Sequence, residues 1–300
     1  MPITKSNHLE PVPGDLKLWR YMSFAKFMNL LITDSLHFHV ASGFDDDFEG
    51  TVPEAVKNAM EEEYEDVTEN GLEKHKKLVG VLRDITYLSC WHNKGYESAA
   101  MWSKYGDHDG AIAVETTVDK LESALSASEP EIHIAKVEYT VFNENNRDEE
   151  EDDISDIDPE ELNRKFLLSH ADSNTFAPFL YKRKSFDYED EIRAIIQKPS
   201  YADSEDEEDA LPIRIQTEGE EWKYLKDDKD PDRVGIEPYL MVNQLLGKIH
   251  VAPGSPEWIL ETVRRAVKAK NRLPNTDEEV NSLVVKSQLD ANPVFGPDLE

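Results

Sequence analysis

Two carboxylates one residue apart, Glu189 and Glu191, with Arg193 just beyond, form the first pattern that could do chemistry. If YEDEIRAIIQ (188–197) is a strand, alternation sends these three to one face and Tyr188, Ile192 and Ala194 to the other. Carboxylates at that spacing repel unless cations or solvent meet them. The group is therefore an ion-paired structural cluster, with Arg20, Arg193 or Lys184 as partner, or a carboxylate pair held for catalysis. A second pattern lies in SAAMWSKYGDHDGAIAVE (98–115). Helical spacing lets Met101 and Trp102 share a face with Tyr105, and His108, Asp109 and Gly110 follow as a polar turn. An aromatic wall beside a polar turn suits a planar ligand such as a nucleobase or nicotinamide; a packed core is the plain alternative.

Other groupings are thinner. His37 and His39 would share one strand face, but two ligands do not make a metal site. Asp45, Asp46 and Asp47, with Glu49, could hold a divalent cation for phosphoryl chemistry, although the spacing is not that of a calcium loop. Cys90 and His92 lie two apart, as a nucleophile and base would, among apolar neighbours that favour a buried thiol. The chain has no phosphate loop, GxGxxG, GxSxG or HExxH. No metal site is expected.

The elements that must position these residues are mixed. Strands are expected at 16–21, 35–41, 84–92, 110–116, 131–142, 188–197, 211–216 and 246–253. Helices are expected at 23–34, across 53–83 with a break near Asn70-Gly71, and at 96–105, 117–127, 158–171, 176–186 and 255–270. Residues 282–290 would close the sheet. Without a regular βαβ rhythm, the fold class is α+β: a single mixed, mostly antiparallel sheet flanked by helices.

The 300 residues carry a formal net charge of −30. Ten carboxylates fall in 148–161 and six in 203–209, which we read as disordered acidic insertions (144–161 and 201–210) in one domain spanning 1–300. Such a charge argues against a nucleic-acid backbone as direct partner. No apolar run suits a membrane span or a secretion signal. One cysteine, Cys90, forbids an internal disulfide, and a reducing cytoplasm is the expected compartment.

An ordered set of segments resembles the bacterial and archaeal family called domain of unknown function 2971, some of whose members are similar to abortive-infection proteins. The segments are LWRY (18–21), LHFHVASGFDDDFE (36–49), YLSCWHNKGYESAAMWSKYGDHDGAIAVET (87–116), KVEY (136–139), Lys184 through Arg193, LLGKIHVAPGSPEW (245–258) and KSQLD. The usual Asn-Asp-Pro reads Asp45-Asp46-Asp47, and the usual Glu-Trp-Arg reads Glu191-Ile192-Arg193. The order of Arg20-Tyr21, an aromatic segment and a late Glu-x-Glu is also similar to mono-ADP-ribosyltransferases, without their Ser-Thr-Ser motif. That likeness implies an NAD-consuming effector in phage defence or stress, with NAD as substrate. Arg20 would clamp phosphate, Tyr21 or Trp102 would stack, Glu191 would be the catalytic carboxylate, and Glu189 would orient or deprotonate the acceptor. The expected ligand-lining residues are Tyr21, Phe38, Asp46, Trp102, Tyr105, His108 and Arg193. The expected partner is a nucleotide-type small molecule. The competing expectation is a non-enzymatic interaction protein that meets a protein partner through its acidic surface. The likeness predicts that Arg20, Tyr21, Trp102 and Glu191 meet in one pocket.

Overall fold

A computed structural model describes residues 9–54, 70–105, 110–142, 175–198, 201–202, 210–216, 222–226 and 234–290. The expected helix at 158–171, nearly all of both acidic insertions, and His108 lie outside the described residues.

The chain forms a mixed, mostly antiparallel nine-stranded sheet flanked by helices, an α+β architecture. Its centre is β3 (Thr86–His92). One edge of β3 pairs along its whole length with β8 (Glu191–Gln197), and β5 (His133–Lys136) pairs beyond β8. The other edge forks. At one end β2 (Phe38–Val40) pairs through His39↔Leu88 and Val40↔Tyr87, followed by β12 (Gly235–Ile236). At the other end β1 (Lys17–Met22) pairs only through Trp19↔His92. From β1 the sheet continues through β4 (Ile112–Thr117), β13 (Lys248–Val251) and β14 (Val284–Lys286). Only β13 and β14 run parallel within it.

Alternation sorts the two faces. Leu18, Met22, Tyr87, Trp91, Val114, Ile192, Ala194 and Ile249 share the first face with α1 (Phe24–Thr33), α4 (Val118–Leu125) and α6 (Glu257–Ala269). This is the main core. It explains the helix patterns: Phe27, Leu30 and Leu31 of α1 point inward, and Ser23 caps its start by accepting from the Lys26 amide. Pro256 stands at the N-cap of α6, one place earlier in the motif than Ser255-Pro256 predicts.

The second face is divided. Over one end α2 (Asn70–Ile85) sets Leu78, Leu82 and Ile85 on Leu88, Ile195 and Phe179. Over the other, α3 (Ala99–Tyr105) sets Met101 and Trp102 on Trp19, Tyr21 and Ala113. Cys90, His92, Glu191 and Arg193 fall between these apolar patches.

Several local expectations change. Residues 176–186 are not a helix: they make a 3₁₀ turn (Ala177–Phe179), the short strand β7 (Tyr181–Arg183) and the start of a second 3₁₀ turn (Lys184–Glu189). The single long strand expected at 131–142 is two, β5 and β6 (Glu138–Thr140), and β6 pairs in parallel with β7. In chain order α5 is Val242–Leu245 and α7 is Asp277–Leu283, and β9 (Tyr201–Ala202), β10 (Ala210–Gln216) and β11 (Trp222–Lys226) make a separate small sheet. Among the described residues no helix is long and apolar enough to cross a membrane.

Candidate functional site

The strip between the two apolar patches holds an alternating chain of charge. Arg193 forks onto Glu49, Nη1 to Oε1 at 2.6 Å and Nη2 to Oε2 at 3.0 Å, and its Nε donates to Glu191 at 2.8 Å. The Lys182 ammonium bridges Glu191 at 3.0 Å and Glu189 at 2.5 Å. Lys104 ends the chain on the other oxygen of Glu189. Three cations thus alternate with three carboxylates, so each buried charge has opposite neighbours. Glu189 and Arg193 have no exposure at all, and Glu191 is 4 % exposed.

Local geometry makes the chain possible. Asp190 takes a left-handed backbone, φ 38°, between the 3₁₀ turn and β8. That bend, not strand alternation, brings Glu189 beside Glu191, whereas Glu191 and Arg193 do alternate along β8. Glu49 arrives on the loop that ends at Gly50, φ 71°, where a Cβ would stand 2.6 Å from the Phe179 ring. The Phe179 carbonyl also accepts from Arg193 at 2.7 Å.

The two glutamates titrate in opposite directions. Burial raises the Glu189 carboxyl, and the neighbouring Glu191 raises it further, against Lys182 and Lys104. Burial also opposes ionisation of Glu191, but Arg193 and Lys182 overcome it and hold the carboxyl far below the usual range. Environments that push two adjacent carboxyls apart are the physical mark of an acid and base pair. Burial lifts the Cys90 thiol to about 12, which leaves it unreactive at neutral pH. The Glu189 carbonyl accepts from His92 Nδ1 at 2.5 Å, so that nitrogen carries the proton, and burial lowers the imidazole's pKa.

Above the strip, Tyr105, Phe186 and Tyr188 surround the Lys104 ammonium at 5.3, 5.2 and 5.7 Å from their ring centres. Tyr105 and Tyr188 are each 41 % exposed.

The predicted common pocket does not form as drawn. Alternation sends Arg20 to the face opposite Glu191. Its guanidinium donates to Ser89 Oγ and to the His37 carbonyl at 2.9 Å, and lies 5.4 Å from the Trp91 ring. Burial lowers its pKa to about 10, partly opposed by Cys90 and Tyr105, so it stays a cation. Tyr21 and Trp102 share the face of Glu191 but are each 6 % exposed, packed edge to face at 4.9 Å. The Tyr21 hydroxyl accepts from the Ser98 amide at 2.9 Å, and the Trp102 indole donates to Glu97 at 3.0 Å. Neither ring offers an open stacking face. Phe38 is buried in the main core. Asp46 pairs with Arg183 at 2.9 Å and caps the Phe48 amide, while Glu49 serves Arg193. Among the described residues no group of three or more His, Cys, Asp or Glu is placed to hold a metal ion. A surface pocket of about 420 Å³, lined by Asp34, Tyr239, Asn243, Lys270 and Arg272 among others, lies away from all of these residues.

Sequence reasoning missed Lys182 and Lys104 as partners, because the expected helix at 176–186 hid the strand that aims Lys182 inward. It also missed a second buried network. Glu97 accepts from Trp102, from Ser287 at 2.5 Å and from the Gln288 amide at 2.8 Å; His250 stands 3.2 Å away and 2.9 Å from Glu115 on its other nitrogen. Burial opposes the charge on Glu97, but His250, Gln288, Ser287 and Trp102 hold its carboxyl at about 2.

A search of curated proteins and of solved structures found no match. The profile of the family described as Protein of unknown function (DUF2971) matches residues 101–194, from the Trp102 helix through the Glu191–Arg193 strand. That segment, which is similar to the DUF2971 family, carries Lys104, Lys182, Glu189, Glu191 and Arg193 of the charged strip, while Glu49 lies outside it.

Proposed function

We propose that the strip around Glu189 and Glu191, entered beneath Tyr105 and Tyr188, binds a nucleotide-type small molecule and cleaves the nicotinamide–ribose bond of NAD. The observation that carries this reading is the oppositely shifted pair of carboxyls directly below a half-exposed aromatic rim. In this reaction the bond between nicotinamide nitrogen and ribose carbon breaks, and its electron pair leaves with neutral nicotinamide. The ionised Glu191 stabilises the oxocarbenium-like ribose. Water or an acceptor hydroxyl attacks the same carbon and gives its proton to the Glu189 carboxylate. Arg20 has no substrate contact in this scheme; Lys104 and Lys182 are the cations nearest the reacting region. NAD as substrate fits a cytoplasmic protein, and its depletion would suit an effector in phage defence or stress.

The test is incubation with NAD and chromatographic detection of nicotinamide. Release by the wild type and its loss in Glu191→Gln, with both proteins folded by circular dichroism, supports the reading. No release by a folded wild type overturns it. One feature favours a second reading, a non-enzymatic interaction protein meeting its partner through acidic surface: the six charges already satisfy one another, as a purely structural network would.

A further inference from the structure

The ammonium of Lys104 sits where a ligand would. Three aromatic rings from two distant segments, the end of α3 and the turn before β8, lie within 5.7 Å of it, the Tyr188 hydroxyl lies 3.5 Å away, and a buried carboxylate stands behind. Aromatic rings around a cation, here with Tyr188 turning its hydroxyl edge towards it, and an anion behind are an arrangement that recognises alkylated or ring-borne positive charge. We infer that Tyr105, Phe186 and Tyr188 form a cage for an organic cation, and that Lys104 is a built-in occupant displaced when such a ligand enters.

Three further observations carry this. Glu189 does not depend on Lys104: its second oxygen is held by Lys182 at 2.5 Å, so withdrawal of Lys104 leaves the carboxylate paired. The exchange replaces one positive charge with another, so the balance along the buried chain is unchanged. The cage also opens to solvent, since Tyr105 and Tyr188 are each 41 % exposed and the Lys104 side chain 36 %. A primary ammonium is strongly hydrated. A ring-delocalised cation leaves water more easily, so it competes well for the same rings. The cationic ring of NAD is a ligand of this kind. To that extent the inference deepens the NAD reading, but the cage stands on its own geometry.

The probe is 1-methylnicotinamide, a permanent cation, compared by titration calorimetry with neutral nicotinamide. The wild type is expected to bind the cation at least ten-fold more tightly than the neutral ring. Lys104→Ala, which removes the one ammonium shared by all three rings and leaves Lys182 and Arg183 beside Phe186, is expected to tighten cation binding several-fold. Tyr105→Leu with Tyr188→Leu is expected to weaken it at least ten-fold. Thermal melting confirms that these surface variants fold. Equal binding of both probes, or no cation binding by either the wild type or Lys104→Ala, overturns the cage. The two ideas fail separately. Nicotinamide release without cation binding sinks the cage alone, and cation binding without release sinks the NAD-cleaving activity alone.

Discussion

Arg20 closes the gap where β1 and β2 part along one edge of β3. One branch of its guanidinium serves the Ser89 hydroxyl and the other the His37 carbonyl, which flanks β2. A lysine keeps the charge but presents a single point of donation, which cannot meet both acceptors with the same geometry. Arg20→Lys is therefore expected to cost about 1–2 kcal/mol in urea unfolding, roughly one lost buried hydrogen bond, and to leave cation binding and any nicotinamide release unchanged. Unaltered stability together with lost ligand binding would return Arg20 to the site. At this scale the sequence was legible wherever side-chain direction follows from alternation. Glu191 and Arg193 share a face as their spacing requires. Glu189 reaches them by another route, the left-handed Asp190, which no periodicity reveals. Trp102 and Tyr21 advertise polar tips that want partners, but only the fold discloses that Glu97 and the Ser98 amide already supply them.

Among the elements, α3 is held at both ends. Its start is tied through Glu97 to Ser287 and Gln288, and its last turn through Lys104 to Glu189; further along the chain Gly110 leads into β4. Gly110 has φ 102°, a backbone that side chains rarely adopt, and a Cβ there would stand 3.0 Å from Ile259. Gly110→Ala is expected to lower stability by at least about 1 kcal/mol, since strain and crowding add; an unchanged melting temperature would refute that account. The strands at 84–92, 110–116 and 246–253 were readable because each carries a compact apolar or alternating run. The segment at 176–186 was not. Phe176, Phe179 and Leu180 have helix-like spacing, yet its shape is set by two carboxylates drawing Lys182 inward and by parallel pairing of β7 with β6. Such long-range demands override local preference.

Across the whole molecule, acid should act on a few buried carboxyls more than on the many exposed ones. Glu97 is held at about 2 against an ordinary 4.5, so its contribution to stability is complete above pH 4.5 and is lost as pH falls towards 2. Glu97→Gln is expected to destabilise the protein at pH 7 and to flatten the decline in urea midpoint between pH 4.5 and 3. An equally steep decline in the variant would show that other groups govern acid unfolding.

The fork in the sheet also dictates when the fold can be completed. Among the described residues, the pairings of β1 are with His92 and with residues 112–117, all remote in the chain. During synthesis that first strand must remain an open edge until β3 and β4 have left the ribosome, and the outer strands β13 and β14 arrive later still. Assembly governed by such remote pairings is slow and leaves an adhesive strand unprotected meanwhile. The yield of folded protein from cells should therefore depend on temperature and chaperone supply more than the finished molecule's stability would suggest.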